Sequence, residues 1–228
     1  MSPSGAIVQT AHLIASQRGG RRFRLVTEPE GREPRGTVVF AHAFGEEMNK
    51  SRRMAARMAR QLAAAGWRVV QRDLAGCGDS SGEFGDATWD DWLADVHDEA
   101  AAAANAQRPL WLWGQRAGAL LAAAAASRVR GCHLLLWQPV VSGAQHLQQF
   151  LRLHAGARIA GTGTAPAGPS PAQRLRAGEA VEVGGYHVNP SLAAGLEQAK
   201  LEWPAGFDGR IVWLELSTLA ATMSVSSA

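Results

Sequence analysis

The sequence predicts an α/β domain, a mostly parallel sheet with helices on both faces. Three observations carry this. Short apolar runs alternate with segments of helical periodicity from Thr37 to Trp137, the alternation that builds parallel sheets through crossover helices. The run Gly114-Gln115-Arg116-Ala117-Gly118 joins an apolar strand pattern, Pro109–Trp113, to an Ala-rich helix pattern. Its two glycines suit a tight strand-to-helix turn. Finally, only one interval breaks the rhythm, from about Ser142 to Phe207.

In chain order, Ala6–Ala15 and Arg22–Thr27 read as two strands joined by the turn Gln17–Gly20, a hairpin-like opening. Thr37–Ala41 is a compact apolar run suited to a buried parallel strand. Asn49–Ala65 places Met54, Met58 and Leu62 at helical spacing, and Gly66 ends it. Trp67–Gln71 is the next strand, followed by the Gly-rich loop Asp73–Gly82. Trp89–Ala106 reads as a helix, with Trp92, Val96 and Ala100 on one face. Its acids, Asp90 and Asp91 among them, are explained by the helix dipole without any catalytic role. After the turn come helix Ala117–Ser127 and strand His133–Trp137.

The 228 residues suit one domain over 1–228, with a small cap inserted at about 142–207. Within it, Ala155–Pro171 is rich in Gly, Pro, Ala and Thr, and a flexible segment is expected at about 155–171. Val181–Val183 and Ser191–Leu201 restore a strand and a helix, and Arg210–Glu215 is a last sheet strand. Ser217–Ala228 carries no further pattern, so the fold is expected to be C-terminally short. Arg210–Leu216 is then an exposed edge with uncovered apolar surface at Trp213 and its neighbours, through which the chain would oligomerise.

Composition narrows the function classes. Hydrophobic residues make up 46% and charged residues 19%, the balance of an ordinary globular chain. The formal net charge is +3. The arginines are interspersed with acids and no aromatic-interleaved basic stripe appears, which excludes nucleic acid as the expected partner. Met1–Gln9 lacks the pattern of a secretory signal, and Trp111–Ala126, the most apolar stretch, contains Arg116 and is too short to span a bilayer. A cytoplasmic protein without cofactor or metal is expected. The two cysteines, Cys77 and Cys132, show no metal or disulfide spacing. Cys77 as a replacement nucleophile is set against plain structural use.

Four segments carry a resemblance to a known family. They are Ala43–Met54, with its Glu46-Glu47-Met48-Asn49-Lys50 run, Asp73–Gly82, Leu112–Leu121 and Leu136–Gly143. On these the chain resembles the α/β-hydrolase superfamily over nearly its whole length. More narrowly, it is similar to the family named exosortase A system-associated hydrolase 2. The resemblance implies an α/β-hydrolase fold, a hydrolase label, and a setting among exosortase, PEP-CTERM sorting and exopolysaccharide genes. It also implies an arginine as the usual elbow residue.

The superfamily places its serine nucleophile at the centre of G-x-S-x-G, followed in chain order by an acid and a histidine. Here Arg116 stands at that centre, Ser217-Thr218-Leu219 at the expected acid position, and no histidine beyond. A guanidinium stays protonated and cannot attack a carbonyl. Two readings of Arg116 stay open. One is an internal ion pair with Glu46 or Glu47, and the other is capture of a small anionic or acyl ligand beside a helix N-terminus. The residues expected around this pocket are Gln115, Arg116, Ala117, His42, Phe44, Glu46, Glu47 and His187. His42 is expected to shape the loop after its strand, and His187 to face the pocket from the cap. His12, His97, His133, His146 and His154 read as surface or core residues, and Ser80 and Ser81 as turn residues. Function divides between a non-catalytic ligand-binding or assembly component and an ester or acyl hydrolase with an unconventional nucleophile.

Overall fold

The computed structural model describes residues 5–162 and 168–216, with 153–162 described by their backbone alone. Seven strands form the main sheet: β1 (Ile7–Ala15), β2 (Arg21–Pro29), β3 (Thr37–Ala41), β4 (Arg68–Arg72), β5 (Leu110–Gln115), β6 (Cys132–Trp137) and β9 (Ile211–Leu214). Their order is β1-β2-β4-β3-β5-β6-β9. β1 and β2 pair antiparallel, β2 meets β4 antiparallel, and every neighbour beyond is parallel. The helices are α1 (Glu46–Ala64), α2 (Trp89–Ala103), α3 (Gly118–Ala126), α4 (Gly143–Thr162), α5 (Pro171–Arg176) and α6 (Pro190–Gln198). The short strands β7 (Val181–Val183) and β8 (Tyr186–Val188) make a separate hairpin. The result is the mostly parallel sheet with flanking helices that the sequence predicts.

Strand alternation builds the two cores. Along β5 and β6, Leu112, Leu134 and Leu136 face one side and pack with α2 and α3 residues such as Trp92, Val96 and Leu120. Trp113 and Leu135 face the other side, against Val38, Phe40 and the α1 residues Ala55 and Ala59. Both faces of the central strands are covered, which is why β3, β5 and β6 read as continuous apolar runs.

A buried charge network ties β2, β4 and α2 together. Arg22 Nε donates to both carboxylate oxygens of Asp95, at 2.8 and 3.0 Å. Arg72 lies 3.9 Å from Asp95 and 3.7 Å from Glu99. All four side chains are at most 5% exposed. Asp95 Oδ2 also accepts from the Ala75 N–H at 2.8 Å. The neighbouring Leu74 N–H donates to His42 Nε2 at 3.2 Å, so the network reaches the loop at the end of β3.

Several elements differ from the sequence expectation. α1 begins at Glu46, three residues before Asn49, and its first turn holds Glu46 and Glu47 where the helix dipole favours acids. The interval expected to be irregular from Ser142 is a 20-residue helix, α4, which buries Leu147, Phe150 and Leu151 at helical spacing. Residues 155–162, within the segment expected to be flexible, are helical in backbone, while 163–167 lie outside the described residues. Two elements, α5 and β8, were signalled locally and missed, whereas β7 falls on the expected strand. α5 opens with Ser170-Pro171-Ala172-Gln173, a capping box with Pro at the first helical position. β7 and β8 turn through Gly184 and Gly185, both at positive φ, the geometry a two-residue hairpin demands. The excursion from α4 to α6 is stitched at its base: Gly143 N–H donates to Ala199 O at 2.9 Å and Leu201 N–H to Val141 O at 3.0 Å.

At the β9 edge, alternation exposes Val212 and Leu214, whereas Trp213 is half-buried and packs against the core. The uncovered apolar surface expected at Trp213 and its neighbours is thus carried by the neighbours and not by Trp213 itself, and residues 217–228 lie outside the described residues. Among the described residues no helix is long and apolar enough to cross a membrane.

Candidate functional site

The turn between β5 and α3 places one residue, Arg116, at the carboxyl ends of the parallel strands, where open α/β sheets hold their ligands. The glycines on either side are required sterically. A Cβ on Gly114 would meet the Ala119 backbone, and one on Gly118 would meet the carbonyl of Ala41. Arg116 itself sits at φ 53°, a left-handed conformation that costs a bulky residue about 1–2 kcal/mol. Three backbone hydrogen bonds, each 3.1 Å, hold it there: its N–H donates to Trp137 O, and its carbonyl accepts from Ala119 and Val140. Gln138, just past the end of β6, is the other non-glycine residue at positive φ among the described residues, at 47°. Strain of this kind gathers at functional sites.

The Arg116 side chain is one-third exposed, 33%, and all three of its nitrogens are engaged. Nε and Nη2 each donate to Glu47 Oε1 at 3.1 Å, and Nη1 donates to Gln138 O at 3.3 Å. Between the two acids left open by the sequence, the partner is therefore Glu47. Glu46 turns toward the hairpin and accepts from Tyr186 Oη at 3.1 Å and Asn49 Nδ2 at 3.3 Å. One step along a helix rotates a side chain by about 100°, which separates the two roles.

Because both guanidinium bonds converge on Oε1, Glu47 Oε2 is left over. It is buried and has no hydrogen-bond partner. Facing it at 3.9 Å is His146 Nε2, on α4, also buried and without a partner. That separation is too long for a hydrogen bond between them. The His146 side chain is 7% exposed and packs edge-on to Phe44 at 5.9 Å. Burial pushes its pKa below the ordinary value, with Arg116 acting in the same direction and Glu47 against it. His146 was read from sequence as a surface or core residue. The available signal was its i, i+4 spacing with Phe150, legible only once residues 143–150 are taken as helix.

The remaining expected residues separate into lining and scaffold. Phe44 is buried at the centre of an aromatic group with Phe84, Trp92 and Phe150. Gln115 and Ala117 are buried on either side of Arg116. His42 is buried with both ring nitrogens in use: Nδ1 bonds Ala43 O at 2.8 Å and Nε2 accepts from Leu74 N–H. That fixes the Nδ1–H tautomer, and burial lowers its pKa. His187 does not face the pocket. In the three-residue strand β8, Val188 is buried and Tyr186 half-buried, so alternation turns His187 out to solvent.

Cys77 is buried and burial pushes its thiol well above the ordinary range, the reverse of an activated nucleophile. Ser80 Oγ donates to Asp73 O and accepts from Phe23 N–H, and Ser81 Oγ accepts from Arg21 N–H; both are turn residues. Among the described residues no three His, Cys, Asp or Glu side chains converge as a metal site.

A cavity of about 290 Å³ opens between α1, α4 and the β7–β8 hairpin, walled by Phe44, Glu47, His146, Phe150, Val183 and Tyr186. A larger cavity, about 630 Å³, lies at the opposite end of the sheet beside Thr37 and Pro109. Those residues sit at the start of β3 and just before β5, the end of a parallel sheet that does not carry ligand chemistry. The smaller cavity is the one beside the elbow group.

A family model described as "Serine aminopeptidase, S33" matches residues 32–169, well over half of the chain. Among solved structures, Est1E from Butyrivibrio proteoclasticus, determined with ferulic acid bound, is similar with a TM-score of 0.62. The identity is 15%, covering 89% of this chain and 77% of that one. The α/β hydrolase GrgF from Penicillium sp. sh18 is similar with a TM-score of 0.56 and 15% identity, covering 85% and 74%. The chain spans about half, 52%, of a thermostable carboxyl esterase from Bacillus coagulans, to which it is 21% identical over 68% of its own length, with a TM-score of 0.48. No curated protein sequence matches it. At these identities the likenesses are of fold.

Proposed function

The chain belongs to the serine aminopeptidase S33 family within the α/β-hydrolases, and on that basis we propose that it binds a small ligand at its elbow without serine-hydrolase chemistry. One observation carries the proposal: the elbow position holds Arg116, whose guanidinium is tied to Glu47 and Gln138 O. Serine-type acyl transfer needs a nucleophile whose proton a neighbouring base removes. Arg116 has no such proton to lose at any accessible pH. The elbow scaffold nevertheless persists around it, with its paired glycines and strained turn.

The resemblance to the exosortase A system-associated family supports a setting in exopolysaccharide export and PEP-CTERM sorting. There the protein acts in the cytoplasm as a ligand-binding or assembly component. Arg116 serves as a fixed cationic anchor that holds Glu47 oriented at the cavity wall. Free anions are weak competitors for this arginine, because Glu47 already neutralises it.

A fluorophosphonate probe tests the reading. The protein incubated with the probe alongside an active serine esterase is expected to remain unlabelled by intact mass. Stoichiometric labelling would sink the proposal and restore the alternative, an ester or acyl hydrolase with an unconventional nucleophile.

A further inference from the structure

We propose that the outer face of α1 docks onto an anionic lipid surface, through the row Lys50, Arg53, Arg57 and Arg60 with Met54 beside it. The surface lies outside the elbow, and the inference stands apart from the reading of that site.

Over the whole chain cations and acids are interspersed, yet between Glu47 and Asp73 the sequence holds seven lysines and arginines and no acid. The fold pairs three of them. Arg52 meets Asp73 at 3.3 Å, Arg68 meets Glu28 at 3.6 Å, and Arg72 belongs to the buried network with Asp95 and Glu99. The other four, Lys50, Arg53, Arg57 and Arg60, are exposed and have no ion-pair partner among the described residues.

Helix geometry gathers these four. At about 100° per residue, positions 50, 53, 57 and 60 fall within an arc of roughly 80°, spread over roughly 15 Å of helix. The arc lies away from the buried line of Met48, Ala55, Ala59 and Ala63. Glu46, one turn before Lys50, is the acid on the same side, and its carboxylate is taken by Tyr186 Oη and Asn49 Nδ2. Like charges three and four residues apart destabilise a helix. The row therefore carries a repulsion that an opposed anionic surface removes.

The company of the charges selects the partner. Met54 is 47% exposed and projects from the same outer half of α1. A thioether beside cations suits the boundary between headgroups and acyl chains, where the cations meet phosphate and the apolar side chain leaves water. The row offers no aromatic ring on which nucleic-acid bases could stack. An acidic protein would have to match the spacing of the four charges. A lipid surface presents its charge in a plane and asks only that the cations share one side of a helix, as clusters of about four to eight do. Lys50 also stands at the rim of the cavity beside the elbow, so docking brings that rim to the lipid.

The test measures co-sedimentation of the full-length protein with vesicles of phosphatidylcholine, alone or with about 30% phosphatidylglycerol. Binding is expected to the mixed vesicles only, and to be lost as salt rises from about 0.05 to 0.5 M. Each cation near such a surface contributes about fivefold to partitioning. The triple variant Arg53→Gln/Arg57→Gln/Arg60→Gln should therefore lose about 100-fold. A control, Arg128→Gln/Arg130→Gln/Lys200→Gln, removes the same charge from exposed positions off α1 and should lose under about threefold. Met54→Ser should weaken vesicle binding severalfold. All these side chains are exposed, and an unchanged urea midpoint checks that each variant is folded. Equal binding to phosphatidylcholine alone, or no binding to the mixed vesicles, would overturn the proposal. So would an α1 variant that binds like the wild type, a control that loses as much, or a Met54→Ser variant that loses nothing. Tighter binding to duplex DNA than to mixed vesicles, at equal phosphate concentration, would also overturn it and assign the row to nucleic acid.

Discussion

Replacing Asp95 by asparagine removes one negative charge from a buried set of four side chains without changing its volume. In the wild type, Asp95 takes both Arg22 Nε contacts, at 2.8 and 3.0 Å, the Ala75 N–H at 2.8 Å, and faces Arg72 at 3.9 Å. Arg72 retains the Asp95 backbone carbonyl at 2.9 Å and Glu99 at 3.7 Å. Arg22 keeps only Gly19 O, at 3.2 Å, and loses its counter-charge while 4% exposed. Removing one partner of a buried ion pair costs about 3–5 kcal/mol. Asparagine still offers one carbonyl oxygen, so about 3 kcal/mol is expected, against about 5 for alanine, which also strands the Ala75 N–H. In urea unfolding this lowers the midpoint by about 1.5 M at an m-value near 2 kcal/mol/M, with m unchanged. Breaking the exposed pair Arg174–Glu179, at 40% and 58% exposure, serves as the control and should cost under about 1 kcal/mol. An Asp95→Asn loss as small as that control would refute the reasoning, since it would mean water reaches Arg22. The consequence extends to the site, because Ala75 adjoins the Leu74 N–H that orients His42.

Gly118→Ala drives a methyl group into the Ala41 carbonyl and should lower the melting temperature by about 5 °C or more; a scanning calorimetry shift under 2 °C would show that the elbow yields. Folded His146 holds its proton less tightly than the unfolded chain, whose value is near 6.5. Its contribution is therefore present above that pH and is lost as pH falls toward the folded pKa. Urea midpoints at pH 7.5 and 5.5 should differ less in His146→Phe than in the wild type, and an equal difference would count against buried, neutral His146. Arg116→Ser restores G-x-S-x-G, yet His42 has both ring nitrogens bound and His187 faces solvent. Oxyanion donors alone leave about 10³–10⁴-fold acceleration over water, so short-chain ester turnover and fluorophosphonate labelling should stay at background. Labelling that His146→Phe abolishes would instead identify His146 as a base.

The sequence by itself determined the sheet and its elbow. Thr37–Ala41, Leu110–Gln115 and Cys132–Trp137 are buried on both faces, so burial writes itself into them as unbroken apolar runs. The paired glycines of the turn are legible because backbone contact leaves no room for any other residue. Local chemistry also encoded α5 and the β7–β8 turn, through a capping box and a Gly-Gly pair. Tertiary structure alone decided which side chains meet. Whether Glu46 or Glu47 reaches Arg116 depends on where α1 begins, since one residue changes the direction by more than a quarter-turn. Whether His146 or His187 enters the cavity depends on the rotation of α4 and the alternation of β8. Residues 47, 116 and 146 lie on different elements, and no local spacing relates them. Their meeting follows from how α1, the elbow and α4 pack over the ends of the strands.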